Sequence, residues 1–269
     1  MNICFYTSEQ PSAESLLNIN HLVQNRPAHN YSFLEVIKKQ APKNSLTSKL
    51  KKIYGELRFD DGRFDFQRDS LTVSNRIREV VPRLNLAQFN KACANEVNDD
   101  KSAAFLKNTK PDLIIQAGAG ILKQNIFSLA NIATINLHHG ISPEIRGIDS
   151  TFWCLFFGIK DKIGVSCHFI DETLDTGAII IQKNLITNSR SFIDIQFENY
   201  LLGREVLLNS VDILDKGGYK VKTLGEVKSY YFGIVNPFFY YALKKRNFEP
   251  LMKISDKAYK MKEKKYLEL

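Results

Sequence analysis

Lys110-Pro111-Asp112-Leu113-Ile114-Ile115-Gln116-Ala117-Gly118 and Ile132-Ala133-Thr134-Ile135-Asn136-Leu137-His138 decide the fold. Each is a short, nearly continuous apolar run, as expected of a parallel strand buried on both faces. The first closes on glycine and the second on polar residues. Pro111 ends whatever helix precedes it, and Asn98-Asp99-Asp100 ahead of Ala103-Ala104-Phe105-Leu106 puts acids in that helix's first turn. Leu122 to Leu129 reads as a short helix joining the two strands. Toward the N-terminus, Asn2 to Thr7 reads as a buried strand, and Ser8 to Val23 as a loop and helix. Toward the C-terminus, Asp149 or Ser150 caps a helix over Thr151 to Phe157, and Ile163 to Ile170 and Ala178 to Gln182 read as strands. A long amphipathic helix from Phe192 to Leu214 carries Ile193, Phe197, Leu201, Leu208 and Val211 at helical spacing, and Gly217-Gly218 stops it. This alternation predicts an α/β, Rossmann-like, doubly wound and mostly parallel sheet. Sites in such sheets lie beyond the carboxyl ends of strands, where Gly118-Ala119-Gly120 and Asn136-Leu137-His138 fall.

One domain is expected over 1–215, with an irregular insertion over about 27–78. Inside the insertion Tyr31 to Ile37 suits a strand, and Leu50, Ile53, Tyr54 and Leu57 suit a helix over Ser48 to Leu57. An extension over 216–269 follows. In it Tyr219 to Tyr230 reads as a hairpin around Gly225, Asn236 to Tyr241 forms an aromatic cluster, and a lysine-rich tail reads as a solvated helix.

The chain has 269 residues, 44% hydrophobic and 25% charged, ordinary proportions for a globular protein that buries its own core. Its four cysteines form no CxxC pair, so no metal is expected. Cys4, Cys154 and Cys167 sit in apolar runs, which suits reduced thiols in a cytoplasmic protein. The start carries no signal-like pattern, and no apolar run approaches the roughly 18 residues of a membrane helix. The net charge of +8 is concentrated in Lys38 to Lys52 and Lys244 to Lys265. A basic surface suits RNA, a membrane face or anionic small molecules, although a solvated charge run is the plainer explanation.

Asn136 and His138 stand two apart on a strand and so project from one face. On its own, Asn-x-His at a strand end is commonly a satisfied polar pair, and Asp175-Thr176-Gly177 is commonly a turn. Taken together, an amide, an imidazole and a carboxylate are what acyl transfer to an amine requires. The amide N–H holds a developing oxyanion, the imidazole relays a proton near neutrality, and the carboxylate steadies the imidazolium.

The pieces recur in a fixed order: Asn136-Leu137-His138, Pro143-Glu144-Ile145-Arg146-Gly147, Gly164-Val165-Ser166-Cys167-His168, and Asp175-Thr176-Gly177. In that order they resemble the N10-formyltetrahydrofolate-dependent formyltransferases. That family includes glycinamide ribonucleotide formyltransferase, methionyl-tRNA formyltransferase and the N-formyltransferases of nucleotide-linked amino sugars. The resemblance is strong over about Asp112 to Lys183 and weak over Met1 to Thr7. It implies a folate cosubstrate, with Asn136 and His138 polarising the formyl oxygen and Asp175 holding the proton path. His168 and Arg146 would be supporting, and Arg146 is expected to tie down the turn after the strand. The loop of Gln116, Ala117, Gly118, Ala119, Gly120, Ile121 and Leu122, with Asp171, Leu174 and Gly177, would hold the pterin. His139 replaces a usual proline and is expected to point away from Asn136; Gly140 is expected to loosen the loop.

The acceptor is narrowed by differences. Thr7-Ser8-Glu9-Gln10-Pro11-Ser12 lacks the glycines that cradle the phosphate of glycinamide ribonucleotide. Too few residues follow Gly218 for a tRNA-binding barrel of the usual size. The expectation is an amino sugar carried on a nucleotide, a precursor of cell-surface glycan such as lipopolysaccharide, handled by a cytoplasmic homodimer. A methionyl-tRNA-type or other small-amine enzyme and an RNA-binding formyltransferase-like protein are the alternatives. A catalytically dead folate-binding module is disfavoured by the intact triad, and a dehydrogenase by the missing GxGxxG.

Overall fold

The computed structural model of the chain describes residues 1–37, 63–82, 84–189, 191–250 and 261–268. The expected helix over Ser48 to Leu57, the stretch Lys38 to Lys52 and residues 251–260 of the lysine-rich tail lie outside the described residues.

The chain opens with β1 (Asn2–Ser8), α1 (Ala13–Asn25) and β2 (Asn30–Val36), then α2 (Arg63–Val80), β3 (Asn90–Ala94) and α3 (Asp100–Thr109). Next come β4 (Leu113–Ala117), α4 (Gln124–Phe127), β5 (Ala133–His138), β6 (Ile145–Gly147), α5 (Ser150–Phe156), β7 (Gly164–Phe169), β8 (Ile179–Asn184) and α6 (Phe192–Lys216). It closes with β9 (Lys220–Lys228), β10 (Tyr230–Phe232), α7 (Pro237–Lys245) and β11 (Met261–Glu268).

Among the described residues the main sheet runs β3-β2-β1-β4-β5-β7-β8-β11-β9. Neighbours from β3 to β5 are parallel, and β7 turns antiparallel against both β5 and β8. Strand order reverses at β1, with β2 on one side and β4 on the other. This is the doubly wound arrangement expected from the helix–strand alternation.

Alternation along each strand assigns its residues to two layers. Ile3 and Phe5 of β1, Ile115 of β4, and Ala133 and Ile135 of β5 join Val206, Leu207 and Val211 of α6 in one core. Cys4 and Tyr6 of β1 and Ile114 of β4 face Leu106 of α3 and Ile126 of α4 in the other. Burial pushes the Cys4 and Cys167 thiols up to about 12, so both remain protonated packing groups. Ser12 caps α1 by accepting from Ser15 N, and Asp99 caps α3 by accepting from Ser102 N. Lys110, in the left-handed region, ends α3 just before Pro111.

Three expectations change. Within 27–78, read as irregular apart from a strand over Tyr31 to Ile37, that strand is present as β2 and helix α2 is added. Helix α2 shows few apolar positions because part of its anchor is polar: buried Asp69 accepts from Tyr240 Oη (2.8 Å) and Lys244 Nζ (2.7 Å) of α7. The segment Tyr219 to Tyr230 does not fold back at Gly225. It runs as one strand, β9, whose antiparallel partner is β11, and Tyr230 to Phe232 pairs instead with β6. The tail over 261–268 is therefore a strand inserted between β8 and β9 rather than a helix. The aromatic cluster divides: Tyr240 is fully buried against Phe66, Phe152 and Phe192, whereas Phe238 and Phe239 are exposed.

Candidate functional site

Residues Ala133, Ile135 and Leu137 of β5 pack toward α6. Period-two alternation then turns Thr134, Asn136 and His138 to the opposite face. The antiparallel register of β5 with β7 sets Asn136 directly beside His168 and His138 beside Ser166. The side chains of Asn136 and His168 meet at 3.4 Å between Asn136 Nδ2 and His168 Nε2.

The hydrogen bonds fix both imidazole tautomers. His168 Nδ1 donates to the Phe169 carbonyl at 2.9 Å, which leaves Nε2 unprotonated toward Asn136. His138 Nε2 donates to the Ile145 carbonyl at 2.9 Å, with Ser150 Oγ at 3.5 Å, so in a neutral ring Nδ1 is the nitrogen that carries the lone pair. Burial holds His168 below the ordinary imidazole value, against the opposing pull of Asp175. It is therefore a neutral ring.

Asp175 arrives from the β7–β8 connection, in the left-handed region at φ 53°. Its Oδ1 lies 3.7 Å from His168 Nε2 and its Oδ2 3.9 Å from His138 Nδ1. Its Oδ2 also accepts from Gly147 N at 2.9 Å. Arg146 fixes the same connection, with Nη1 donating to the Leu174 carbonyl (3.1 Å) and Nε to Ser229 Oγ (2.8 Å). Its guanidinium also lies over the Tyr231 ring. Strand β6 is thus the clamp that brings a distant carboxylate to the two histidines. All three of His138, His168 and Asp175 are buried.

Sequence reasoning missed how His138 is seated. A Cβ on Gly140 would lie 2.5 Å from His138 Nε2, so Gly140 leaves room for the ring where it donates to Ile145. The residue shapes the site instead of loosening its loop.

A cavity of about 540 Å³ reaches Asn136, His138, His168 and Asp175. Its walls include Gln116 from the end of β4, Gly120, Ile121 and Leu122 from the turn after it, and Asp171 and Leu174 from the β7–β8 connection. Ile121, Ile148, Leu174 and Tyr231 give it an apolar, partly exposed rim. Four residues expected in this wall are elsewhere. Ala117 and Gly118 line a smaller cavity between β4 and α1, and a Cβ on Gly177 would meet the Phe169 carbonyl, so that glycine closes the connection. Ala119 packs against the α3-side core. The Gln116 side chain braces its own turn, donating to the Gly120 carbonyl and accepting from Gly118 N.

A second cavity, of about 320 Å³, lies under α1, α2, α5 and α6. It shares His138, Gly147 and Ile148 with the first. A site with one reactant space on each side of an imidazole can pass a group and a proton between two ligands.

Residues 66–191 match the family model described as formyl transferase. The match covers just under half of the 269 residues. Over 124 residues it is 32% identical to the methionyl-tRNA formyltransferase of Thermodesulfovibrio yellowstonii, covering 45% of this chain and 40% of that one. Over 162 residues it is 29% identical to the GDP-perosamine N-formyltransferase of Brucella melitensis, covering 58% and 61%. The aligned part thus spans about two fifths to three fifths of these relatives' own lengths. Among solved structures, a sugar N-formyltransferase from Shewanella superposes with TM-score 0.55 at 16% identity, covering 87% of this chain and 77% of that one. A glycinamide ribonucleotide transformylase from Symbiobacterium toebii gives 0.53 at 12%, covering 82% and 91%. These two likenesses show a shared fold. No described helix is long and apolar enough to cross a membrane.

Proposed function

We propose that the protein transfers a formyl group from N10-formyltetrahydrofolate to the primary amine of an amino sugar carried on a nucleotide. The observation that carries this reading is the position of His138 in the wall shared by two cavities, with Asn136, His168 and Asp175 gathered beside it. In the reaction a carbon–nitrogen bond to the donor breaks, one to the acceptor forms, and the proton given up by the acceptor nitrogen ends on the departing donor nitrogen. Asn136 Nδ2 offers an N–H to the carbonyl oxygen as it gains charge. His138 presents an unprotonated Nδ1 that can take the proton, and Asp175 stabilises the resulting imidazolium. The 540 Å³ cavity, with its apolar rim and its wall of loop backbone, suits the flat ring system of the donor. The 320 Å³ cavity suits a compact acceptor.

A sugar is favoured over methionyl-tRNA by the small, helix-walled acceptor cavity and by the longer alignment with the Brucella sugar enzyme. The protein is expected to act as a homodimer in the cytoplasm. The test is mass detection of a formyl adduct across nucleotide-linked 3-amino and 4-amino sugars and methionyl-tRNA, each with N10-formyltetrahydrofolate. An adduct on a sugar alone supports the reading, one on methionyl-tRNA alone replaces the acceptor, and none on any of them overturns it.

A further inference from the structure

Leu137 and His139 flank His138 and point to the opposite layer, toward α6. His139 is enclosed there. Its Nε2 lies 2.7 Å from Glu14 Oε1 on the first turn of α1, and its ring packs edge-on against Tyr200 at 4.7 Å. A Cβ on Gly203, in the interior of α6, would stand 2.7 Å from His139 Cε1. A glycine inside a helix is unfavourable by about 1 kcal/mol relative to alanine, and at this position its lack of a side chain makes the space the ring occupies. His139 Nδ1 is buried and has no partner among the described residues. The ring therefore meets Glu14 through Nε2, which donates to the carboxylate.

The arrangement fixes one oxygen of Glu14 and leaves the other without a partner among the described residues. Glu14 lines the 320 Å³ cavity, as do His139 and Tyr200. So does Asp149, whose carboxyl burial lifts above the usual range. No described lysine or arginine lines it. The described lining therefore carries two carboxyl groups and no cationic side chain of lysine or arginine to pair with a phosphate.

We infer that Glu14, oriented by His139, captures the acceptor amine in its ammonium form, and that this cavity takes the amino-sugar ring while any phosphate lies outside it. Glu14 is thus a specificity-determining residue and His139 a positioning residue. This rests on the reading of His138 and its neighbours as a formyl-transfer site. It goes further in naming what is selected: a cationic amine on an otherwise uncharged ring, with acidic sugars rejected by two carboxylates.

Binding separates the inference from the reaction. Titration calorimetry would compare methyl 4-amino-4,6-dideoxyglucopyranoside with methyl 6-deoxyglucopyranoside, which carries a hydroxyl in place of the amine. The wild-type protein is expected to prefer the amine roughly tenfold or more, the worth of a charge-assisted hydrogen bond. The preference should fade as pH rises through the amine's own pKa, and Glu14→Gln should abolish both the preference and its pH dependence. Gly203→Ala and His139→Phe should weaken it as well, although residue 203 does not line the cavity. Thermal midpoints would show whether these variants are folded, and Glu14→Gln decides if they are not. Equal binding of the two glycosides by the wild type, or a preference surviving in Glu14→Gln, overturns the inference. A preference that depends on Glu14, without a formyl adduct on any acceptor, would sink the formyl-transfer reading and leave this one standing.

Discussion

The two cavities on either side of His138 are built from different kinds of structure. The larger is walled by chain segments that follow β4, β5 and β7 directly, and residues close together in sequence form most of it. The smaller is walled by side chains of four helices spread from Glu14 to Tyr200. The first has loop backbone and an apolar rim; the second has carboxylates, hydroxyls and rings. A loop wall suits one unvarying ligand, whereas helix side chains can be exchanged without disturbing the sheet. The comparison assigns shared chemistry to one side and acceptor choice to the other.

That division breaks most sharply at the wall between them. Asn136→Ala and Asp175→Asn should each lower the rate of formyl transfer by about 10²- to 10³-fold or more, the usual effect of removing an oxyanion donor or an imidazolium partner. Circular dichroism and the thermal midpoint should stay close to wild type, since both groups border a cavity. Activity within a few-fold of wild type in either variant would remove the residue from the mechanism. Gly140→Ala should come next. Its Cβ, 2.5 Å from His138 Nε2, displaces the ring from the Ile145 carbonyl. A shift of that order is expected to lower the rate about a hundredfold while acceptor binding at Glu14 persists.

The same contrast explains what could be read in advance. The wall with Asn136, His138 and Asp175 was legible because strand alternation puts the first two on one face, and because the fragments follow one another in sequence. Gln116 to Leu122 were read as one cavity-facing loop, but Gln116 and Ala117 are the last residues of β4, and which of the seven face the cavity depends on where each falls in the strand end or turn; Ala117 to Ala119 look elsewhere. Glu14 gave no signal. It is one acid in a helix's first turn, where an acid needs no further explanation, and its partner lies 125 residues away. Gly203 inside α6 looked like a minor flaw in a helix, although its reason is the ring of His139. Helix α2 and strand β11 were missed for a common cause. Their sequences are charged and their anchoring is nonlocal: a buried Asp69 under α7 for one, and pairing with β9 for the other.

The helical wall can be tested through that anchor without touching the chemistry. Asp69 joins α2, which lines the smaller cavity, to Tyr240 and Lys244 of α7. Asp69→Ala removes the charged acceptor of the Tyr240 hydroxyl and of Lys244, so a loss of roughly 1.5–3 kcal/mol is expected by urea denaturation. Because α2 borders only the acceptor side, the acceptor KM should rise while the folate KM stays constant. Equal changes in both would mean that the two walls are not mechanically separate.

The smallest expected effect concerns pH and the loop-built side. Burial holds His168 below the ordinary imidazole value in the folded chain, and His29 is lowered in the same direction, also chiefly by burial. In the unfolded chain both titrate near 6.5. Between that value and the lower folded one, the unfolded state binds more protons, so stability rises with pH across this window. The contribution is complete above about pH 6.5 and is lost progressively as the pH falls below it. His168→Gln keeps a polar group beside Asn136 but cannot take up the proton. Its stability should therefore fall less steeply than wild type between neutral pH and the onset of general acid unfolding, with His29 accounting for the slope that remains. An unchanged slope in that variant would mean that His168 already carries its proton in the folded protein, paired with Asp175. The carboxylate would then face an imidazolium before any acceptor arrives, and His138 alone would be left to receive the proton.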